Sequence, residues 1–205
     1  MKTRFAVCMG LSSMLVLAQA VVPSSFALST EPTPAKGLAY TIRLKGETRD
    51  SYGTVRHTQD ITLAVASDGK FHALRKFSPS HQLEQIGLPG KGLFNIDKER
   101  KALIHRGDFT GKDRKRTFAQ AQPTSEFIVG YRVNVVHQST GAAQIDLYVA
   151  PDLNNEILRS VVHQGNVTYT TEATDISVGE PDAELFSLPD YPIEEKLDLR
   201  PRNAK

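Results

Sequence analysis

From Leu38 onward, apolar side chains recur at every second position. Leu38, Tyr40, Ile42 and Leu44 alternate with Ala39, Thr41, Arg43 and Lys45. Successive side chains leave a strand on opposite sides, so a period of two sorts apolar and polar groups onto the two faces of one strand. The pattern returns at Ile61, Leu63 and Val65, on a strand expected from about Thr54 to Ala66. Ser67-Asp68-Gly69-Lys70 follows as a turn, in which Gly69 can take a positive φ without a Cβ penalty. Phe71–Phe77 is the expected return strand. Leu93–Asp97 and Ala102–His105 flank the charged tip Lys98-Glu99-Arg100-Lys101 and predict a second, shorter hairpin.

The most regular segment comes next. Tyr131, Val133, Val135 and His137 alternate with Arg132, Asn134 and Val136, and after Ser139-Thr140-Gly141 the alternation resumes at Ile145, Leu147 and Val149. Ile157–His163 and Val167–Val178, separated by Gln164-Gly165-Asn166, complete a four-strand meander. Short helices are expected at His81–Ile86 and Asp113–Gln120, neither with an apolar stripe. About nine strands over residues 38–192 imply a mainly β (α+β) fold: a strongly curved antiparallel sheet or half-barrel with few short helices and one apolar face turned inward. Tyr40, Ile42, Leu63, Val133, Val135 and Leu147 are the residues expected on that face. They either line a dry cavity with few polar anchors or pack against each other as core, and the pattern alone leaves both open.

Ahead of this domain the chain reads differently. Met1-Lys2-Thr3-Arg4 is followed by an uncharged apolar run from Phe5 to Ala18, with small-residue cleavage sites at Ala18-Gln19-Ala20 and Ser25-Phe26-Ala27. That is the form of a secretory signal peptide, over residues 1–20 or 1–27. The run falls short of the roughly 20 residues that cross about 30 Å of hydrocarbon, so no stable membrane span is expected after signal removal. Cys8, the one cysteine, lies too close to Arg4 to follow a lipoprotein-type hydrophobic segment, and a cleaved product would have no disulfide. The expected organisation is signal peptide 1–27, extended leader 28–37 rich in Ser, Thr and Pro, β domain 38–192 and polar tail 193–205. The expected location is periplasmic or secreted.

Composition changes this picture little, and charge changes it once. With 40% apolar and 23% charged residues the chain has the balance of a globular protein. Its net charge of +2 equals the contribution of Lys2 and Arg4, so the exported product is neutral and carries no overall field toward phosphate backbones. Nucleic acid is therefore not an expected partner. Lys112-Asp113-Arg114-Lys115-Arg116 is a local basic run, read as a solvated loop and as the best electrostatic contact for an acidic partner.

Catalytic signatures are missing. The six histidines are dispersed, no H-E-x-x-H or G-x-S-x-G stands in the sequence, and Gly87-Leu88-Pro89-Gly90-Lys91-Gly92 lacks the G-K-[ST] ending of a phosphate loop. Asp108, Asp113 and Asp146 read as loop and strand-surface acids. No catalytic residue, metal site or cofactor is expected, and the chain is read as a non-enzyme. Asn166-Val167-Thr168 is a glycan acceptor only in a host that glycosylates its exports.

Ile128-Val129-Gly130-Tyr131-Arg132, Leu147-Tyr148-Val149-Ala150-Pro151-Asp152-Leu153, Glu156-Ile157-Leu158, Thr174-Asp175-Ile176 and Glu180 to Tyr191 resemble a family of exported bacterial proteins of unknown function. Asn95 to Lys101 resembles the hairpin upstream in that family. The family is similar in turn to the outer-membrane lipoprotein carrier (LolA-like) superfamily. The resemblance implies a curved antiparallel half-barrel closed by helices over an apolar cavity, and a lipid or lipoprotein as partner. Two functions follow as expectations: a binding protein carrying a lipid or lipidated partner on its apolar face, or an envelope module that docks another protein. Independently of the family, Leu185, Phe186, Leu188 and Tyr191 crowd together around Pro189 and predict an extended plug on the sheet edge or over its apolar mouth.

Overall fold

The alternation folds into one twelve-stranded sheet in the computed structural model, which describes residues 37–78, 80–111, 118 and 120–195. The strands are β1 (Tyr40–Arg49), β2 (Val55–Val65), β3 (Phe71–Ser78), β4 (His81–Leu88), β5 (Gly92–Asp97), β6 (Ala102–Gly107), β7 (Gln122–Ile128), β8 (Tyr131–Thr140), β9 (Ala143–Ala150), β10 (Glu156–Gln164), β11 (Val167–Val178) and β12 (Ile193–Glu195). Their order across the sheet is β12-β6-β5-β4-β3-β2-β1-β11-β10-β9-β8-β7. Two antiparallel meanders, β1 to β6 and β7 to β11, thus meet where β1 pairs with β11. Only β12 runs parallel to its neighbour, β6.

The mainly β, open and curved architecture is the expected one, and three details differ. Twelve strands replace about nine. His81–Ile86 is not a short helix but the body of β4, because hydrogen bonding to β3 on one side and β5 on the other outweighs the weak local preference of His-Gln-Leu-Glu-Gln-Ile. Among the described residues the helical elements are two 3₁₀ turns, Pro151–Leu153 and Ala183–Phe186, and no closing helix of the superfamily kind is present. The signal with Cys8, the leader up to residue 36, the basic run 112–116, and nearly all of the short helix expected at Asp113–Gln120 lie outside the described residues. The described residues all belong to one compact unit, residues 34–205.

Charge helps to set the register where the two meanders join. Arg159 stands opposite Glu172, Glu172 opposite Lys45, Lys45 opposite Asp60, and Asp60 opposite Lys76. Opposite charges facing each other across strands contribute roughly 0.2–1 kcal/mol per pair, and like charges cost a similar amount. A slip of one residue would also turn every side chain to the wrong face.

Apolar residues collect on both faces of the β2–β6 half. Leu63, Val65 and Phe71 point into one cluster, while Ala64, Ala66, Ile86 and Leu88 point into a second on the opposite side. The first cluster draws on β1, β2, β3, β7, β8, β9, β10 and β11 and includes Tyr40, Ile42, Ile128, Val133, Leu153, Leu158 and Ala173. A flat sheet would spread β3 and β7 about 34 Å apart at about 4.8 Å per strand, so near-complete burial of these residues follows from the curl of the sheet. Register shifts at Arg43/Leu44, Thr48/Arg49 and Ile157/Arg159 are bulges of the kind that add local twist. Gly87 admits the Phe71 ring against β4: a Cβ there would lie 2.2 Å from a Phe71 ring carbon. Phe71 in turn meets Phe109 edge to face at 5.2 Å.

The second cluster is closed from outside. Residues 179–192 leave β11, cross over the second face and end in β12 beyond β6, placing Phe186 among Ile86, Phe94, Ile96 and Leu103 with Leu188 and Tyr191 beside it. This segment, here called the belt, is the plug expected from the sequence, except that Leu185 points to solvent.

Candidate functional site

The six residues singled out by alternation separate into two groups. Tyr40, Ile42 and Val133 are buried in the first cluster and Leu63 packs against it. Val135 and Leu147 are half-buried and belong to neither cluster. Around Tyr40, Ile42 and Val133 the first cluster is sealed: Ile42, Val133 and Leu158 have no accessible surface, with Val133 reaching it from the side of β8 opposite Val136 and Leu147. Further along the face of β1 that carries Ile42, apolar side chains stay within reach of solvent.

That second stretch is a strip set by register. Val136 stands opposite Leu147, Leu147 opposite Ser160, and Ser160 opposite Thr171. One row further out, Ile145 faces Val162 and Val162 faces Tyr169. Ile145, Leu147, Val162 and Tyr169 are all half-buried, as are Leu44 and Ile61, which face each other across β1 and β2. The polar atoms in the middle of the strip are engaged: the Ser160 and Thr171 hydroxyls share a hydrogen bond of 2.7 Å. Gly46 leaves room for the Gln59 side chain, which a Cβ would meet at 2.4 Å. The strip is thus an accessible apolar surface that continues the sealed core, with its central hydroxyls already paired.

The other side of these strands carries charged groups that satisfy one another beside Tyr148, which also packs against the first cluster. Arg159 donates from Nε to Glu172 at 2.8 Å and from Nη1 to Glu126 at 2.5 Å, and its guanidinium lies 4.7 Å from the centre of the Tyr148 ring. Burial works against the charge of Arg159, but the hydrogen bonds it donates to Glu172 and Glu126 outweigh it and hold its pKa above the usual arginine value. His137 Nδ1 lies 2.7 Å from Asp146 on an exposed part of this face. These pairs tie β7, β10 and β11 together and leave the apolar strip as the unspent side of the sheet.

Two further polar groups sit among apolar side chains. Tyr40 donates from its hydroxyl to the buried carboxylate of Glu156 at 2.8 Å, joining the starts of β1 and β10. On the second face, buried His72 Nε2 lies 2.9 Å from Glu84 Oε1, and Lys98 Nζ lies 2.7 Å from the other oxygen. The hydrogen bond from His72 is the largest influence on Glu84; with the Lys98 ammonium it overcomes the effect of burial and lowers the carboxyl to about 2. Local spacing gave no sign of either pair: Tyr40 and Glu156 are 116 residues apart, and His72 and Glu84 meet only through the β3–β4 register.

Two open depressions lie elsewhere. One of about 370 Å³ is lined by Pro123, Arg132, Asn134, Pro151 and Asp152, and one of about 400 Å³ by His137, Gln138, Ser139, Gln144 and Asp146. Neither is lined by the six alternation residues, and the second is polar throughout. Among the described residues no group of three or more His, Cys, Asp or Glu side chains could hold a metal ion, and no helix is long and apolar enough to cross a membrane.

No family model matches the chain, and no curated protein matches it. Solved structures do. PNGF-II in its P21 form is 17% identical with a TM-score of 0.47, over 78% of this chain and 31% of that one. MucB in the MucA/MucB complex of Pseudomonas aeruginosa is 11% identical with a TM-score of 0.45, over 75% of this chain and 56% of that one. The chain thus spans about a third of the first and just over half of the second. A domain from Vibrio parahaemolyticus described as an outer membrane lipoprotein-sorting protein is 11% identical with a TM-score of 0.24, over 74% of this chain and 90% of that one.

Proposed function

We propose that this chain is an exported, non-enzymatic binding protein that holds an acyl chain, from a lipid or a lipidated partner, along the half-buried strip. The observation that supports this reading is the contrast within one face. Ile145, Leu147, Val162 and Tyr169 stay accessible beside a core from which water is excluded, while the polar groups of the same strands pair with each other. Apolar surface left in reach of solvent on an otherwise satisfied sheet marks a place where another apolar body is accommodated. Leu147 belongs to that strip, and Ile42 and Leu63, which face each other across β1 and β2, form its floor at the sealed end with Tyr40 beside them, whereas Val133 leaves β8 on the same side as Val135. Val135 stands opposite Tyr148, on the charged side.

Binding of a pyrene-labelled fatty acid to the delipidated full-length protein tests the reading. One chain per protein is expected, with at least a tenfold loss in Leu147→Lys and Val162→Lys and none in Val135→Thr. Equal binding by all these variants and the parent would remove the strip from consideration. A second reading, docking of an envelope protein, is favoured by Phe127. It is 63% exposed next to the β7–β8 turn, on the outer strand of the sheet, and capture of a protein that Phe127→Ser no longer retains would support it.

A further inference from the structure

The belt is bound to the sheet as a peptide ligand would be. At its start the Glu180 carboxylate accepts from the Ser67 backbone N–H at 3.2 and 3.4 Å. In its middle Phe186 enters the apolar row of the second face. At its end the Pro192 carbonyl accepts from the Leu103 N–H at 2.9 Å, and Ile193, Glu194 and Glu195 add to β6 in parallel register with Leu103, Ile104 and His105. Adding a short strand to a sheet edge while side chains fill pockets is a general mode of peptide recognition.

The manner of attachment also suits exchange. Around the buried anchor Phe186, with Leu188 and Tyr191 half-buried beside it, the polar contacts of the belt's end lie near the surface: Glu194 meets Arg100 at 2.8 Å and Glu195 meets His105 at 3.1 Å, with Ile193 61% exposed just before the two acids. An exposed ion pair such as Glu194–Arg100 holds weakly and is screened by salt. The segment that joins the belt to β11, Val178 to Glu180, is exposed, and Gly179 has a φ of +140° that other residues rarely adopt. Without the belt, Ile86, Phe94 and Leu103 would face water, so the seat requires an occupant.

We infer that the belt is a self-ligand and that its seat on β2–β6 is a groove for an extended acidic segment of a partner protein. The seat itself specifies that partner. Its apolar row takes an aromatic anchor, the free side of β6 takes a parallel strand, and Arg100 and His105 take a pair of carboxylates, as Phe186, β12 and Glu194-Glu195 now do. The groove lies on the face opposite the acyl strip and stands or falls separately from it.

The probe is a fluorescent peptide spanning Glu180 to Glu195, added to the full-length chain. The tethered belt competes at an effective concentration on the order of millimolar, so binding to the parent chain is expected to be weak. Full-length Phe186→Ala, with its own anchor removed, is expected to bind the peptide at least tenfold more tightly than the parent. Glu194→Lys/Glu195→Lys, which leaves the apolar anchor in place, provides a second loosened chain should the first fail to fold, and circular dichroism checks both. A peptide carrying lysine at both acidic positions should bind the loosened chains at least tenfold less tightly. No binding to folded loosened chains, or indifference to the two acids, overturns the inference. A parent chain that forms stable dimers dissolved by the peptide would make a second copy the occupant and overturn the assignment to a partner protein.

Discussion

The two apolar clusters are closed in different ways. The first is covered by the sheet's own curl: residues from eight strands converge on it, and Ile42 and Val133 lose all contact with solvent. The second is covered by fourteen residues that arrive from the far side of β11, with one aromatic side chain buried among strands that would otherwise be bare. A core built from pleated neighbours opens only when the sheet comes apart. One built from a belt opens when the belt leaves, so the second face is the place to look for local opening at a free energy below that of global unfolding.

The sharpest way to break this contrast is to remove buried volume from each side. Ile42→Ala is expected to cost about 4 kcal/mol, because a side chain pinned between β11 and β2 leaves a cavity its neighbours cannot fill. Urea denaturation would show it as a shift of the whole transition with an unchanged slope. Phe186→Ala is expected to cost about 3 kcal/mol, at the low end for a phenylalanine, since the belt can settle or detach. Hydrogen exchange should separate the two variants. Phe186→Ala is expected to speed exchange at Leu103 and leave Ile42 protected, and equal acceleration at both sites would show that the belt is an integral part of one core.

A titration probes the same face from below. Glu84 has its carboxyl held at about 2 in the folded chain against an ordinary value of 4.5, chiefly by His72 and then by Lys98. A depressed carboxyl contributes its stability above the unfolded value and loses it as pH falls through the folded one. The contribution, up to about 3 kcal/mol, is expected in full above about pH 5 and fades toward pH 2. Glu84→Gln should flatten the stability profile across that window. If the two curves keep the same shape, the Glu84 carboxylate is not what ties this face to pH.

Much of this architecture could be read from alternation. The meander from Tyr131 to Val178 and both early hairpins fold where the period of two put them. What escaped has a physical reason in each case. His81–Ile86 and Gln122–Ile128 lack alternation, the first because Glu84 stands in an apolar row beside His72, the second because β7 is an outer strand carrying Pro123 and paired only at its ends. The ladder from Arg159 to Lys76 is invisible until register brings five strands side by side. Apolar alternation also selects a face without saying which of its residues will be sealed. Val133 and Val135 were grouped with Leu147 because they share a period, but the β8–β9 register turns both to the side opposite Leu147, while Tyr40 and Ile42 differ from the strip in being sealed by the curl of the sheet.

The smallest expected effect is the one that tests the belt most directly. Glu194 and Arg100 meet at 2.8 Å with side chains 43% and 60% exposed, so Glu194→Lys should change global stability by less than about 1 kcal/mol. Its effect on the belt alone should be larger in proportion, because reversing that charge sets an ammonium against the Arg100 guanidinium beside a strand of three residues. Exchange at the Leu103 amide, which donates to Pro192, is expected to rise several-fold at low salt and return toward the parent rate as salt screens the repulsion. A rate that ignores both the substitution and the salt would mean that Phe186 and the Pro192 carbonyl hold the belt by themselves, and that the acidic pair plays no part in how this seat chooses its occupant.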